Sequence, residues 1–424
     1  MKIIGIVYSP YYLHIETVRE HVEGFSSLRG VDVRYISIDN LRPGDLEKFD
    51  AVLIHYAIRF AFPETLPGNF LKILARYKGG KFIFIQDEYD NTENVRKIFS
   101  QIMPDIVFTC VPQENIEKIY PAIRFPKTKF VSVLTGFAPD LFSIEQKSSE
   151  FRDIDIGYRG RVIGNRYGKL GYEKWSIGER VILHCTQYPH LTLDISSLED
   201  DRIYGGDWYS FLGRCKAVLG TESGSNIFDF DGKLRHISDR KPNLPYEIFE
   251  RLYLENKELD GLMNQISPRA FEAAATRTLM ILYPGEYSGV LVPWQHYLPL
   301  ERDFSNFKTI VEILSDNRQV DEITERTFND VIASKKYNKA SYFSQIEAHV
   351  TKVLDQANFI PSLLNDLPSY PSGVVGKLIA AQAIENLHFP GRSIVRSLWR
   401  LIPTRLRLRI LRLLNFMLSR SRKN

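Results

Sequence analysis

The chain has 424 residues, 44% hydrophobic and 25% charged, with a formal net charge of +4. This length is too great for one ordinary core and suits two α/β units plus an appendage, and the composition is that of a folded globular protein. From Arg392 onward there are nine Arg, one Lys and no acid; removing those ten from the 55 basic residues leaves 45 against 51 acidic ones, so the body is acidic and no nucleic-acid partner is expected.

The N-terminal MKIIGIVYSP has one Lys and a short apolar run followed by Tyr and Pro, which predicts a first strand and not a signal peptide. Residues 2–9, 33–38, 51–56, 81–86, 105–110 and 129–134 are short runs rich in β-branched and aromatic residues and read as strands. Between them, residues 13–27, 70–77, 92–101 and 113–120 read as helices. This alternation predicts a parallel sheet covered on both faces. The pattern restarts after the polar stretch 143–152, with predicted strands at 154–160, 180–185, 217–220 and 278–283 and helices at 267–275 and 307–315. Residues 225–262 read as a polar, irregular insertion near the site. Beyond Val320 the pattern is helical, and 359–373 is a proline-bearing linker.

The expected fold is therefore α/β: two Rossmann-like, doubly wound domains facing a cleft, with a C-terminal basic amphipathic helical tail. The expected boundaries are 1–145, 152–350, 359–391 (linker and helix) and 392–424 (tail). No helix of membrane-spanning length, about 18 apolar residues or more, is predicted. Cys110, Cys185 and Cys215 have no metal-ligand spacing and an odd count, which fits a reducing cytoplasm. No metal and no cofactor are expected.

The most specific segment is SPRAFEAAATRTLMILYPGEYSG, residues 267–289. Ser267 is a predicted N-cap and Pro268 a first-turn residue. The helix that follows offers unpaired N–H groups and a positive dipole end to an anion. Glu272, near the second turn, can accept hydrogen bonds from a sugar diol, and Ala273, Ala274 and Ala275 allow close packing on a sheet.

This order resembles the donor-binding element of retaining GT-B glycosyltransferases, and more narrowly the bacterial group-1 transferases related to spore-maturation proteins. The resemblance covers roughly residues 200–315. It implies that Glu272 holds the ribose of a nucleotide sugar and that the helix start, with Ser267 and Arg269, faces the diphosphate. The superfamily pairs that glutamate with another, seven residues lying between them; here the earlier position is Asn264, with Glu222 a candidate substitute displaced by the insertion.

Three further groups are candidates. IGYRGR (156–161) lacks the dinucleotide fingerprint but places cations after a strand; by resemblance, Arg161 and one of Lys169 or Lys174 stabilise the leaving diphosphate in place of a metal. The alternative is a solvated basic turn. In GTESGSN (220–226), Ser223 and Gly224 could contact phosphate or sugar. The triplet Asp229-Phe230-Asp231 matches a metal motif of the other glycosyltransferase fold, but such triplets arise by chance. In QDEY (86–89), Asp87 or Glu88 ends a buried strand and could bind the acceptor hydroxyl or act as general base; either could instead cap the next helix. His55 ends another strand.

In the tail, Arg405, Arg409 and Arg412 share one helical face and Leu406, Ile410, Leu413, Leu414 and Met417 another. An apolar face beside a purely cationic one suits an anionic membrane surface; docking on protein is the alternative. Together these features predict a metal-independent transferase moving sugar from a nucleotide sugar to a glycan or lipid-linked acceptor. It would be cytoplasmic, on the inner face of the plasma membrane, serving cell-envelope glycan synthesis. An epimerase or phosphorylase on the same fold, or a non-catalytic membrane adaptor, are the alternatives.

Overall fold

The computed structural model describes residues 2–140 and 148–356; the expected linker from 359 and tail from 392 lie outside them. The first sheet is six-stranded and wholly parallel: β1 (Lys2–Tyr8), β2 (Val31–Ser37), β3 (Ala51–Ile54), β4 (Gly80–Ile85), β5 (Ile106–Thr109) and β6 (Lys129–Ser132), in spatial order β2-β1-β3-β4-β5-β6. Strands β3, β4 and β5 are buried along their whole length, as expected of parallel strands with helices on both faces. The crossovers carry α1 (Glu16–Gly24), α2 (Phe70–Arg76), α3 (Thr92–Ile102) and the short α4 (Ile116–Ile119).

The second sheet contains β7 (Ile154–Arg159), β8 (Leu193–Ser196) and β9 (Cys215–Gly220). A two-stranded antiparallel ribbon, β10 (Ser223–Gly224) with β11 (Asn264–Gln265), stands beside it. β12 (Leu279–Leu282) and β13 (Leu298–Pro299) complete the sheet, in order β13-β12-β9-β7-β8, again parallel. Its helices are α5 (Gly168–Cys185), α6 (Gly206–Arg214), α7 (Lys233–Arg240), α8 (Tyr246–Phe249), α9 (Pro268–Ala275), α10 (Phe307–Leu314) and α11 (Asn317–Thr327). Each sheet has a hydrophobic cluster on either face. Strand order reverses between β1 and β3 in the first sheet and between β7 and β9 in the second, the places where open sheets bind ligands beyond the strand carboxyl ends.

Three expectations are corrected. Residues 180–185 are not a strand but the end of α5: Ile177, Val181 and Cys185 are buried while Leu183 is exposed, a helical period that six residues alone do not reveal. The strands β8 and β13 and helix α6 were not anticipated; β8 is an edge strand whose four residues are all half-buried, so it lacks the apolar run of a central strand. The stretch 225–262 is ordered, with α7, α8 and its own small core of Ile227, Leu234, Tyr246, Phe249 and Leu254.

That stretch also joins the two units. Backbone N–H groups of Thr92 and Glu93 donate to the carbonyls of Asp229 and Phe230, and Asp229 N–H donates to Tyr89 O. Phe228, Leu262 and Met263 enter the core under the first sheet. Asp90 is buried between Arg166 (3.2 Å) and Arg59 (3.7 Å) and also accepts from Tyr167 Oη.

The last described helix, α12 (Lys339–Gln356), returns to the first unit. Residues 339–350, grouped with the second unit in the sequence reading, instead cover the first sheet, with Tyr342, Phe343, Ile346 and Val350 packed among Ile4, Phe84 and Phe108. A Cβ on Gly24 would lie 2.1 Å from the Phe343 ring, so α1 and α12 approach as closely as they do only because Gly24 has no side chain.

Candidate active site

A cavity of about 240 Å³ lies between the units. Thr17, Glu20 and His21 of α1, with Tyr56, Gln86 and Asp87, line it from the first unit; Lys174, Ser223, Gly224, Gln265 and Pro268 line it from the second. Both sheets thus deliver their strand ends to one space.

Helix α9 starts as its sequence requires. Ser267 is extended and its hydroxyl accepts from Arg269 N–H at 3.4 Å, with Pro268 in the first turn. Pro268 borders the cavity, so the positive end of the helix faces it. Gly224 lies in the ribbon opposite, at φ 91°, where a Cβ would fall 1.9 Å from the Met263 carbonyl oxygen; only glycine lets the two backbones close there.

Lys174 is half-buried on α5 and no protein hydrogen bond or ion pair holds its ammonium among the described residues. Burial lowers its pKa to about 8; Asp87 opposes this across the cleft, while Arg269 and Arg161 push the same way. Arg161 and Arg269 are thus within electrostatic reach of Lys174, but neither lines the cavity: both are exposed, and Arg269 donates to the Arg159 carbonyl. Lys169 does not join them. Its backbone N–H binds Glu258 at 2.8 Å and its side chain is exposed away from the cavity lining.

Asp87 and Glu88 separate completely. Asp87 is exposed at the cavity with φ 57°, accepts from Tyr89 Oη at 2.6 Å, and lies 3.9 Å from Arg59. A left-handed backbone at a non-glycine residue costs free energy and is often retained where a side chain must be aimed. Glu88 is fully buried and accepts from Thr109 Oγ1 (2.5 Å), Cys110 N–H (3.2 Å) and Tyr120 Oη (3.1 Å). Burial raises its pKa to about 7 against these bonds. Glu88 belongs to the core and is withdrawn as a candidate acceptor-binding or catalytic residue. His55 is likewise fully buried, its Nδ1 taking Ala57 N–H at 3.1 Å.

Glu222 is also internal. Its oxygens accept from Tyr287 N–H (2.8 Å) and from the Asn264 amide, and a Cβ on Gly285 would strike it. The carboxylate that sequence distance separates from Asn264 therefore lies directly against it. Occupied and buried, it shapes the loop after β12 and does not border the cavity, so its catalytic assignment is withdrawn. Asp229 caps α7 through the N–H groups of Leu234 and Arg235, and Asp231 pairs with Lys233; the two carboxylates of that triplet serve local folding.

Glu272 is half-buried and, like Glu222, is not among the residues that line the cavity; burial raises its pKa. Its Oε2 accepts from Trp208 Nε1–H at 2.6 Å. Trp208 and Asp90 were not singled out in the sequence; Trp208 stands in a helix that no local pattern announced, and Asp90 gains its partners, Arg166 among them, only across the units.

No protein-family model matches the sequence, and no curated protein matches it. Solved structures with similar folds include HepE of Anabaena in complex with UDP and glucose (10% identity, TM-score 0.46, covering 83% of this chain and 100% of that one). T4 phage BGT in complex with UDP and Mn2+ is similar at 12% identity and TM-score 0.47, covering 84% and 100%. TarM is similar at 12% identity and TM-score 0.41 over 70% of this chain; the match spans 53% of TarM.

Proposed function

We propose that this protein is a glycosyltransferase of GT-B architecture, moving a sugar from a nucleoside-diphosphate sugar to a hydroxyl acceptor. The observation that carries this reading is the convergence on one interunit cleft of Pro268 at the α9 helix start, Lys174, Ser223, Gly224 and Asp87. The diphosphate lies against Lys174, Arg161 and the N–H groups after Ser267, with Ser223 and Gly224 beside the transferred sugar. Glu272 holds the ribose. As the glycosidic bond breaks, negative charge grows on the diphosphate, and pre-set cations stabilise it without reorganisation. Lys174, with a pKa near 8, is mostly protonated at neutral pH. Asp87 receives the acceptor hydroxyl from the opposite wall, as orienting group or as base. The cations supply the charge that a metal would otherwise bring. The tail, outside the described residues, would hold the enzyme at an anionic membrane near glycan or lipid-linked acceptors.

A thermal-shift panel of UDP-, GDP-, dTDP- and CMP-sugars tests the donor assignment. A true donor at 100 times its Kd adds about 2.7 kcal/mol of stability; no shift with any of them would remove the reading. Chelation with EDTA should leave donor turnover unchanged if no metal takes part. Liposome flotation with and without residues 392–424 tests the tail, and equal flotation refutes it.

A further inference from the structure

Strand β7 and helices α6 and α9 of the second unit hold a stacked column of two arginines and two rings. The Arg159 guanidinium lies 4.4 Å from the Phe211 ring centroid. Phe211 stacks on Trp208 at 5.6 Å with planes 26° apart, and the Arg269 guanidinium lies 5.1 Å from the Trp208 ring. The column is anchored at both ends. Arg159 pairs with Asp194 at 2.8 Å and donates to the Tyr158 and Asp194 carbonyls. Arg269 donates to the Arg159 carbonyl.

The one polar atom of this clamped indole, Nε1–H, is spent on Glu272 Oε2. The terminal torsion of a glutamate is broad and nearly two-fold, so a free carboxylate would sample many orientations. Here one oxygen is pinned, and Oε1 has no protein partner among the described residues. The bond also favours the ionised form, which only accepts hydrogen bonds, opposing the effect of burial on this group.

We infer that Trp208 is a positioning residue for the nucleotide: its N–H orients Glu272 so that Oε1 accepts from the ribose hydroxyls, and so makes the protein select ribonucleotides over 2′-deoxyribonucleotides. This rests on the ribose-binding assignment of Glu272 proposed above. The diphosphate cluster is a separate set of residues, so the two assignments can fail separately.

The test is calorimetric titration of the full chain with UDP, GDP and their 2′-deoxy counterparts at pH 8 and pH 6. The wild type should bind at least one ribonucleotide about tenfold more tightly than its deoxy form, the effect of one charged hydrogen bond. Trp208→Phe keeps the ring and removes the donor. It should lose most of that preference at both pH values. Trp208→His, which retains a ring N–H, should recover part of the preference, and Glu272→Gln should abolish it in either background. A Trp208→Phe protein with the wild-type preference at both pH values overturns the inference. Wild-type binding without any ribose preference overturns it and the role of Glu272 while leaving the diphosphate site standing. Absence of binding by all four nucleotides overturns both.

Discussion

Glu88→Gln isolates the energetic consequence of burying a carboxyl beneath the cleft. In the unfolded chain Glu88 has an ordinary pKa of 4.5; in the folded protein it is about 7, because burial outweighs the bonds from Thr109, Tyr120 and Cys110. A group whose pKa rises on folding contributes stability below the unfolded pKa and loses it as pH rises through the folded one. Between those values the folded state holds a proton that the unfolded state has released. The full penalty above pH 7 is about 3.4 kcal/mol, of which about 0.8 kcal/mol is already present at pH 5 and nearly all at pH 8. Glutamine has no proton to lose. The stability difference between variant and wild type should therefore move by about 2.5 kcal/mol in the variant's favour from pH 5 to pH 8, whatever constant cost the amide adds by facing the Thr109 and Tyr120 hydroxyls. His21 and His55, whose pKa values burial depresses, act in the opposite sense, losing stability as pH falls below their unfolded value. They are common to both proteins and cancel in the difference. Guanidinium unfolding at pH 5, 6, 7 and 8, followed by circular dichroism, measures it. A difference that stays flat within about 0.5 kcal/mol would refute the claim that Glu88 is held protonated by its surroundings.

Lys174→Gln should weaken nucleoside-diphosphate binding by about tenfold or more, the loss of a charge-assisted hydrogen bond. In the wild type, affinity should decline above pH 8 as Lys174 deprotonates, and the variant should lack that decline; calorimetry across pH 7 to 9.5 reads both. Gly224→Ala forces a Cβ against the Met263 carbonyl at positive φ and should destabilise the protein by about 2 kcal/mol or more, seen in the guanidinium midpoint. Asp90→Asn leaves Arg166 and Arg59 without their shared carboxylate between the units and should cost about 3 kcal/mol. Asp90→Ala combined with Arg166→Ala should cost less than the sum of the single changes, which a double-mutant cycle measures.

Much of the architecture was legible because it is written in short-range order. Central parallel strands such as β3 and β4 are continuous apolar runs, since both their faces are covered. Ser267-Pro268 starts a helix wherever it follows extended chain, because the serine oxygen and the proline φ each satisfy a local requirement. These features gave two α/β units and the start of α9, and the structure has both. Edge strand β8 was missed because only half of its surface is buried. The end of α5 was misread because Val181, Ile182 and Leu183 favour either period over so short a window.

The sequence by itself determined the periodic strands, the capped helix and a pool of polar candidates at strand ends. Tertiary structure decided which of them face the cleft. Asp87 and Glu88 are neighbours in the chain, yet one left-handed residue sends the first to the cavity while the second points into the core. Lys169 and Lys174 are five positions apart on α5, about 140° around the helix axis, so only Lys174 borders the cavity. Glu222 and Asn264 are distant in sequence, and the ribbon of β10 and β11 brings their side chains into contact. Trp208 meets Glu272 only when α6 packs beside α9. In each case the deciding fact is a direction or a distance between elements, which is fixed by packing and not by any local run of residues.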